Sequence, residues 1–558
     1  MLTADDRSGL PTGGVAPGPE DLVQGAVGVF PLSFMQESLW VVEEMAPESS
    51  AYNMAEAWRL EGQLDRAVLE RCWNEVLHRH EILRTCIRAR EGSPRQVILP
   101  AKPVSLPITD LRASENQEAE LVELMRMDIE KPFVLSSGPL WRVRLFVISP
   151  EEHVLLINLH HIICDAWSQQ LLLREITELY AAFREDKPSP LPELPVQYAD
   201  FSVWQRERLD VSAQHGQLEY WKRQLSQPLA QINLAADYPR QPGLSAPGKT
   251  DFVTLPAGLI ADLKQLSREQ GATLFTVLLS AFKTWLHRCT GEEDVIVGSP
   301  FSARQRVETE PLIGFFVNTH ALRTWLGGNP TFVELLGRVR ETVLGAANAQ
   351  EVPLGLLLAN VKPQRQAGSH PLFQVVFGLQ SGIADRCSWP GVQVERLELA
   401  SGAAKFDWTL LASETPEGLR IRSEYNSARF QPETAARFLR SFHTLLHSIV
   451  RAPHARISDL PLVTEEERSQ LFFEWNRTQT DYPRGQSVPA IFERQVQKRP
   501  EAVALELQGQ LVTYGELNER ANRLAGRLRG FGIGRGSLVG LGAQRSIEMI
   551  VGMLGILK

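Results

Sequence analysis

A six-residue apolar run, Val154 to Leu159, leads directly into two adjacent histidines, a short loop, and then a stretch with helical spacing. The run is short and bounded, so it reads as a largely buried strand. Gln169 to Phe183 places Leu172, Ile176, Leu179, Tyr180 and Phe183 on one face, the pattern of an amphipathic helix. Successive strand side chains point to opposite faces. His160 and His161 therefore cannot both look into one pocket while the chain stays extended. One belongs in the interior and the other is free to act. The same alternation recurs elsewhere. Arg66 to His80 carries Leu69, Trp73, Val76 and Leu77 at helical spacing, and Val295–Val297 and Phe373–Leu379 read as strands. The chain is thus α/β, with two mixed lobes of similar size and no short repeat.

A length of 558 residues exceeds one ordinary core and calls for several folding units. With 43% hydrophobic and 22% charged residues the composition is that of a soluble globular protein. The net charge of −8, with no basic stripe, argues against nucleic acid as a partner. No apolar run is long enough to span a membrane. The opening residues are acidic and rich in Gly and Pro, unlike a secretory signal. The five cysteines, Cys72, Cys86, Cys164, Cys289 and Cys387, are scattered and form no C-x-x-C pair, which points to a reducing cytoplasm. Cys164 reads as a small apolar loop filler rather than a nucleophile.

Residues 1–27 read as a flexible leader, 28–203 and 204–455 as the two lobes, and 456–487 as a polar linker. Residues 488–558 begin another α/β unit, with a helix at Ile491–Lys498, a strand at Val503–Leu507, and helices over Leu517–Leu528 and Ser546–Lys558. Some 70 residues ending in an apolar helix are expected not to close a core alone, as if a larger domain were cut short.

The segment with chemical potential is His160-His161-Ile162-Ile163-Cys164-Asp165-Ala166-Trp167-Ser168. A histidine's ordinary pKa of about 6.5 lets it take or give a proton near neutrality. Asp165, in the turn, can fix the loop by pairing with a cation. The opposed facing of the two histidines disfavours a metal site, and no H-x-D or H-E-x-x-H spacing lies nearby. A plainer reading also stands at this point: both histidines at the edge of the core, and Asp165 only capping the next helix.

This segment resembles the HHxxxDG signature of condensation domains of nonribosomal peptide synthetases, in the chloramphenicol acetyltransferase-like superfamily. Other blocks follow in order over residues 28 to 455. Pro31 to Trp40 is similar to the opening signature, Arg79-His80-Glu81-Ile82-Leu83-Arg84-Thr85 to RHExLRT, Tyr198 to Trp204 to the fourth block, and Ile313 to Thr319 to the fifth. The resemblance implies two α/β sandwich lobes meeting in a V around a tunnel, entered by two phosphopantetheine arms on partner carrier proteins. It implies that His161 acts, that His160 is its buried neighbour, and that Asp165 pairs with Arg304. Arg79 and Arg84 would support the active-site wall together with Ala166, Trp167 and Ser168, while Asn318 and Trp204 would shape the channel. No cofactor or metal would be bound directly.

Three departures bear on substrate and activity. Ala166 stands where the family has Gly, Gly355 lacks the acidic residue of the sixth block, and Gln366 to Leu372 matches the seventh only at Pro371-Leu372. The C-terminal piece resembles the start of an adenylation domain, with Val512-Thr513-Tyr514-Gly515-Glu516-Leu517 as its first core motif and no ATP phosphate loop. The expected function is amide formation between a carrier-bound acyl or peptidyl donor, arriving on another polypeptide, and a carrier-bound aminoacyl acceptor downstream. Two rivals are an epimerase of the same superfamily, disfavoured because Trp167 precedes Ser168, and a non-catalytic docking platform. A heterocyclising unit would replace the histidines by aspartate.

Overall fold

The computed structural model describes residues 26–90, 92–209, 215–241, 246–364, 368–380, 385–400, 402–415 and 417–558. Residues 1–25 of the expected leader, and Gln366 and Ala367 of the seventh block, lie outside that set. The chain divides into two compact units between Glu465 and Glu466.

The larger unit holds two main sheets. The first has six strands in the order Arg386–Trp389, Val392–Leu397, Asn53–Gly62, Glu152–His160, Trp141–Ser149 and Ile108–Asp110. All neighbours are antiparallel except the last pair. The second has seven, in the order Val317–Trp325, Asp294–Ser302, Val375–Gln380, Trp408–Thr415, Gly418–Asn426, Ala246–Pro256 and Ala403–Ala404. Its strand Val375–Gln380 runs parallel to both neighbours. A three-stranded sheet of Gly28–Pro31, Ser93–Ile98 and Thr85–Arg90 completes the unit.

The two halves are not contiguous in sequence. Arg386–Leu397, expected in the second lobe, pairs antiparallel with Asn53–Gly62 through the register Val392↔Gly62 to Leu397↔Ala57. The alternating apolar residues Val392 and Val394 are 2% and 1% exposed and enter the core of the first half. Helix Tyr198–Leu209 runs across the expected boundary at 203/204. Tyr198 holds it against both sides, its hydroxyl lying 2.9 Å from Ser33 Oγ and donating to the Phe315 carbonyl at 2.7 Å. Residues 456–465, expected in the linker, pack with the larger unit, where Ile457 and Leu460 are buried.

The helix after the histidines runs Ala166–Arg184, three residues earlier than its apolar period predicts, because Asp165 caps it by accepting the Ser168 N–H at 2.8 Å. Its apolar face, from Leu172 through Leu179 to Phe183, packs into the core of the first half. Among the described residues no helix is long and apolar enough to cross a membrane.

The smaller unit contains helices Val488–Lys498, Tyr514–Gly530 and Ile547–Leu557 and a hairpin of Val503–Leu507 with Gln510–Thr513. Thr513 and Glu516 form a capping box that starts the middle helix. The buried cluster of this unit is small: Val512, Leu517, Ala521, Ile547, Val551 and Leu554.

Candidate active site

The last register pair of the central strands is Asn53↔His160, so the strand carrying the histidines ends where Tyr52 leads into its neighbour. The His161 N–H still reaches back to the Tyr52 carbonyl at 2.8 Å, after which the chain turns through a single 3-10 turn, His161–Ile163. That turn separates the two imidazoles. His160 is 1% exposed, packs edge-on to Phe133, and accepts the Ile162 N–H on Nδ1 at 3.1 Å. His161 instead lines a cavity of about 600 Å³ walled by residues from both halves.

The His161 ring is held in one tautomer. Nδ1 lies 2.7 Å from the Cys164 carbonyl, which can only accept, so Nδ1 carries the proton and Nε2 keeps a free lone pair. Phe315 packs at 4.7 Å between ring centres. Burial pushes the pKa down to about 3, and the nearby Lys405 charge adds to it, so the ring is neutral at physiological pH. Cys164 is fully buried, which raises its thiol well above the usual range and leaves its carbonyl as its contribution to the site.

Behind the turn lies a buried polar knot. Asp165 Oδ1 accepts from the Ser168 N–H and lies 2.7 Å from Ser168 Oγ, while Oδ2 accepts the Phe316 N–H at 3.0 Å. Arg304 Nη2 sits 3.2 Å from Asp165 Oδ1 and donates to Ser168 Oγ at 2.8 Å, and Nη1 donates to the Thr309 and Leu312 carbonyls. Both charged side chains are about as buried as charges get, at 3% and 2% exposed. Ser168 Oγ also takes the Gly314 N–H at 3.0 Å. A glycine is required there, since a Cβ at 314 would fall 2.0 Å from the Tyr198 ring. The knot ties the first half to the segment 302–316 of the second, and so fixes the floor under His161.

The other expected residues divide between wall and support. Ala166 lines the cavity, and so does Asn318, whose amide donates to the Gln350 and Val352 carbonyls and accepts from the Leu354 N–H. Gly355 also lines it, close against Ser38, whose Oγ would lie 2.5 Å from a Cβ at 355 and would have to turn aside for one. Arg79, Arg84, Trp167 and Trp204 are not among the described residues that line the cavity. Arg79 pairs with the buried Glu175 at 3.1 Å, and Arg84 donates to the Leu99 carbonyl at 2.9 Å. The buried Glu175 carboxylate is the partner that holds Arg79. Trp167 is 47% exposed and donates to the Glu310 carbonyl, while Trp204 lies beneath the Arg306 guanidinium.

Several residues matter to which the sequence assigned no role. Gln36, the glutamine of the opening block, lies on helix Phe34–Met45, donates to the Ile162 carbonyl at 3.0 Å and pins the turn from behind. Lys405, from the second half, lies on the cavity wall with its ammonium 4.7 Å from the Tyr52 ring centre. Glu56 and Arg396 form an ion pair at 2.9 Å on the same wall. Among the described residues no group of three or more His, Cys, Asp or Glu side chains is arranged to hold a metal.

The condensation-domain family profile matches residues 26–472, and that of AMP-binding enzymes matches residues 492–558. One component of the linear gramicidin synthase of Brevibacillus parabrevis is 44% identical over 534 residues, which is 95% of this chain and 10% of that protein. Chondramide synthase of Chondromyces crocatus is 40% identical over 537 residues, 95% of this chain and 14% of that one. The chain thus spans about a tenth of the length of these curated relatives. Among solved structures, the X-domain from teicoplanin biosynthesis superposes with a TM-score of 0.71 at 28% identity, covering 80% of this chain and 99% of that one. A four-domain nonribosomal peptide synthetase bound to AMP and glycine gives 0.82 at 22% identity, covering 96% and 42%, a likeness of fold. The chain belongs to the condensation-domain family of nonribosomal peptide synthetases, a family of enzymes, and continues into the N-terminal part of an AMP-binding domain.

Proposed function

We propose that this condensation domain is an acyltransferase that joins a donor acyl or peptidyl thioester to the amine of an aminoacyl thioester, each presented on a carrier-borne phosphopantetheine arm. The observation that carries this reading is the aim of His161: a neutral ring whose unprotonated Nε2 is the free nitrogen on the wall of a cavity shared by both halves. The acceptor nitrogen attacks the donor carbonyl, the C–N bond forms, the C–S bond breaks, and the donor arm leaves as a thiol. His161 Nε2 accepts the proton that the amine sheds, or holds the amine by the same lone pair, and returns it to the departing sulfur. Confinement of both reactants is worth up to about 7–11 kcal/mol of the barrier, so a modest base suffices for an already activated thioester.

In this reading His160, Asp165, Ser168 and Arg304 hold the turn, Ala166 and Asn318 shape the wall, and Arg79, Arg84, Trp167 and Trp204 brace the elements behind it. The first lobe takes in the strand Val392–Leu397 as well as the residues up to the helix Tyr198–Leu209, and residues 466–487 serve as the linker. The domain's partners are a donor carrier protein and an acceptor carrier protein. The protein works in the cytoplasm, without nucleic acid or membrane.

The rival reading is a platform that binds carriers without catalysis. Two loaded carrier proteins supplied to the domain separate the two, with the acceptor analysed by intact mass spectrometry. The joined product on the acceptor carrier supports catalysis. Binding of both carriers with no product supports the platform.

A further inference from the structure

We infer that Glu43 is a positioning residue for this reaction: its buried carboxylate holds the ring of His160, and through that ring the turn that aims His161. The inference rests on the function proposed above. Glu43 lies two turns beyond Gln36 on helix Phe34–Met45 and is only 5% exposed. The helix itself is firmly anchored, since Ser33 and Gln36 form a reciprocal capping box at its start. From this one helix two side chains reach the same turn. Gln36 takes the Ile162 carbonyl, and Glu43 Oε1 stands 3.3 Å from His160 Nε2.

The chemistry of the His160 ring makes that second approach consequential. Nδ1 accepts the Ile162 N–H, so it carries no proton, and the ring's proton must sit on Nε2, on the side of the carboxylate. Nε2 and Glu43 Oε1 face one another at ion-pair distance without meeting hydrogen-bond geometry, so the hold is the attraction of that acceptor oxygen for the N–H dipole. Take the carboxylate away and the other tautomer becomes available. That tautomer places a proton on Nδ1 against the Ile162 N–H, a clash of two donors in a site closed to water. The turn would then have to move, and His161 is the next residue along it.

The carboxylate is not left alone in the interior. Glu43, Tyr52 and Lys405 line one small pocket, so the ammonium of Lys405 offsets the charge of Glu43 from the second half of the unit. Tyr52 in turn accepts the His161 N–H. The backbone on both sides of His161 is therefore held by groups that meet at Glu43.

The test uses the protein with two loaded carriers. Glu43→Leu is expected to lower kcat about tenfold to a hundredfold with KM for both carriers unchanged, the penalty of a misaimed group. Glu43→Gln, which keeps the shape and an acceptor oxygen, should recover most of the rate. In a His161→Ala background Glu43→Leu should have no further effect, because Glu43 acts through His161. Ring 15N shifts read the hold without turnover: His160 should be the Nε2–H tautomer in the wild type and mixed in Glu43→Leu. Wild-type kcat in Glu43→Leu, equal loss in Glu43→Gln, an additive loss in the His161→Ala background, or an unchanged His160 tautomer would each overturn the inference. Failure of the proposed function shows separately, as full activity in His161→Ala alone.

Discussion

His161 and His320 sit in different halves of the larger unit, and burial pushes both below the ordinary histidine range, to about 3 and about 4. Their settings differ. His320, 1% exposed on strand Val317–Trp325, lies flat against Trp221 at 5.2 Å with Phe301 edge-on at 5.0 Å. Its Nε2 is shut inside the sheet with no hydrogen-bond partner among the described residues. His161 stands just past the end of its strand, where a turn swings the ring out and the Cys164 carbonyl fixes its proton on the far side. Burial makes a neutral imidazole in both places. Only a strand end that opens on a cavity makes one that can take a proton from a substrate.

The contrast breaks most readily on activity. His161→Ala should lower the single-turnover rate of amide formation about 10²- to 10⁴-fold, the usual contribution of a positioned acid–base group. His320→Ala should leave that rate near wild type while costing about 1–3 kcal/mol of stability. Similar rates for the two variants would erase the distinction.

A second comparison sets the buried Asp165–Arg304 pair against the exposed pair of Asp110 with Arg112. Arg304→Met leaves a carboxylate uncompensated in the interior, and chemical denaturation should show a loss of about 3–5 kcal/mol. Arg112→Ala should barely move the midpoint, since a solvated pair is screened. A small effect at Arg304 would mean that the knot under His161 is not what holds the halves together.

The pH dependence sharpens the first contrast. Between the folded values of about 3 and 4 and the unfolded value near 6.5, an unfolded chain binds protons that the two folded histidines refuse. Stability should therefore rise with pH through that window and gain nothing further from these groups above it. Denaturant midpoints at pH 5 and 7.5 check this, and His320→Leu should flatten part of the rise. The rate should show no inflection at 6.5 and should follow the acceptor amine, whose free value lies at about 7.7–8.0.

The smallest effect is expected at Ala166, the first residue of its helix and part of the cavity wall. Ala166→Gly should cost about 0.5–1 kcal/mol by loosening the backbone and change the rate little. A large gain in rate would show that this methyl obstructs a substrate.

Much of this site was legible because its logic is local. Opposed facing at a strand end predicted one buried and one open histidine, and the structure places His160 in the core and His161 on the cavity. The resemblance supplied the partner for Asp165, which no local pattern could name, since Arg304 lies far along the chain. The helix start was misplaced by three residues because apolar spacing says nothing about the cap that Asp165 provides. What stayed hidden depends on distant pairing. The strand Val392–Leu397 has the same alternation whichever sheet receives it, and its place beside Asn53–Gly62 is decided by tertiary packing. Lys405 and Glu43 belong to no motif, and each reads as an ordinary surface charge until the halves meet. Arg79 and Arg84 sit in one sequence block, but the buried Glu175 that pairs with Arg79 lies on another helix, out of reach of any local pattern.

The most direct measurement is the ring 15N spectrum of His161 in the intact protein, followed from pH 8 down to 5.5. A neutral ring with the proton on Nδ1, a bare Nε2, and no titration over that range is the predicted result. A ring that protonates near 6.5, or one that carries its proton on Nε2, would contradict the assignment of His161 as the group that receives the amine's proton.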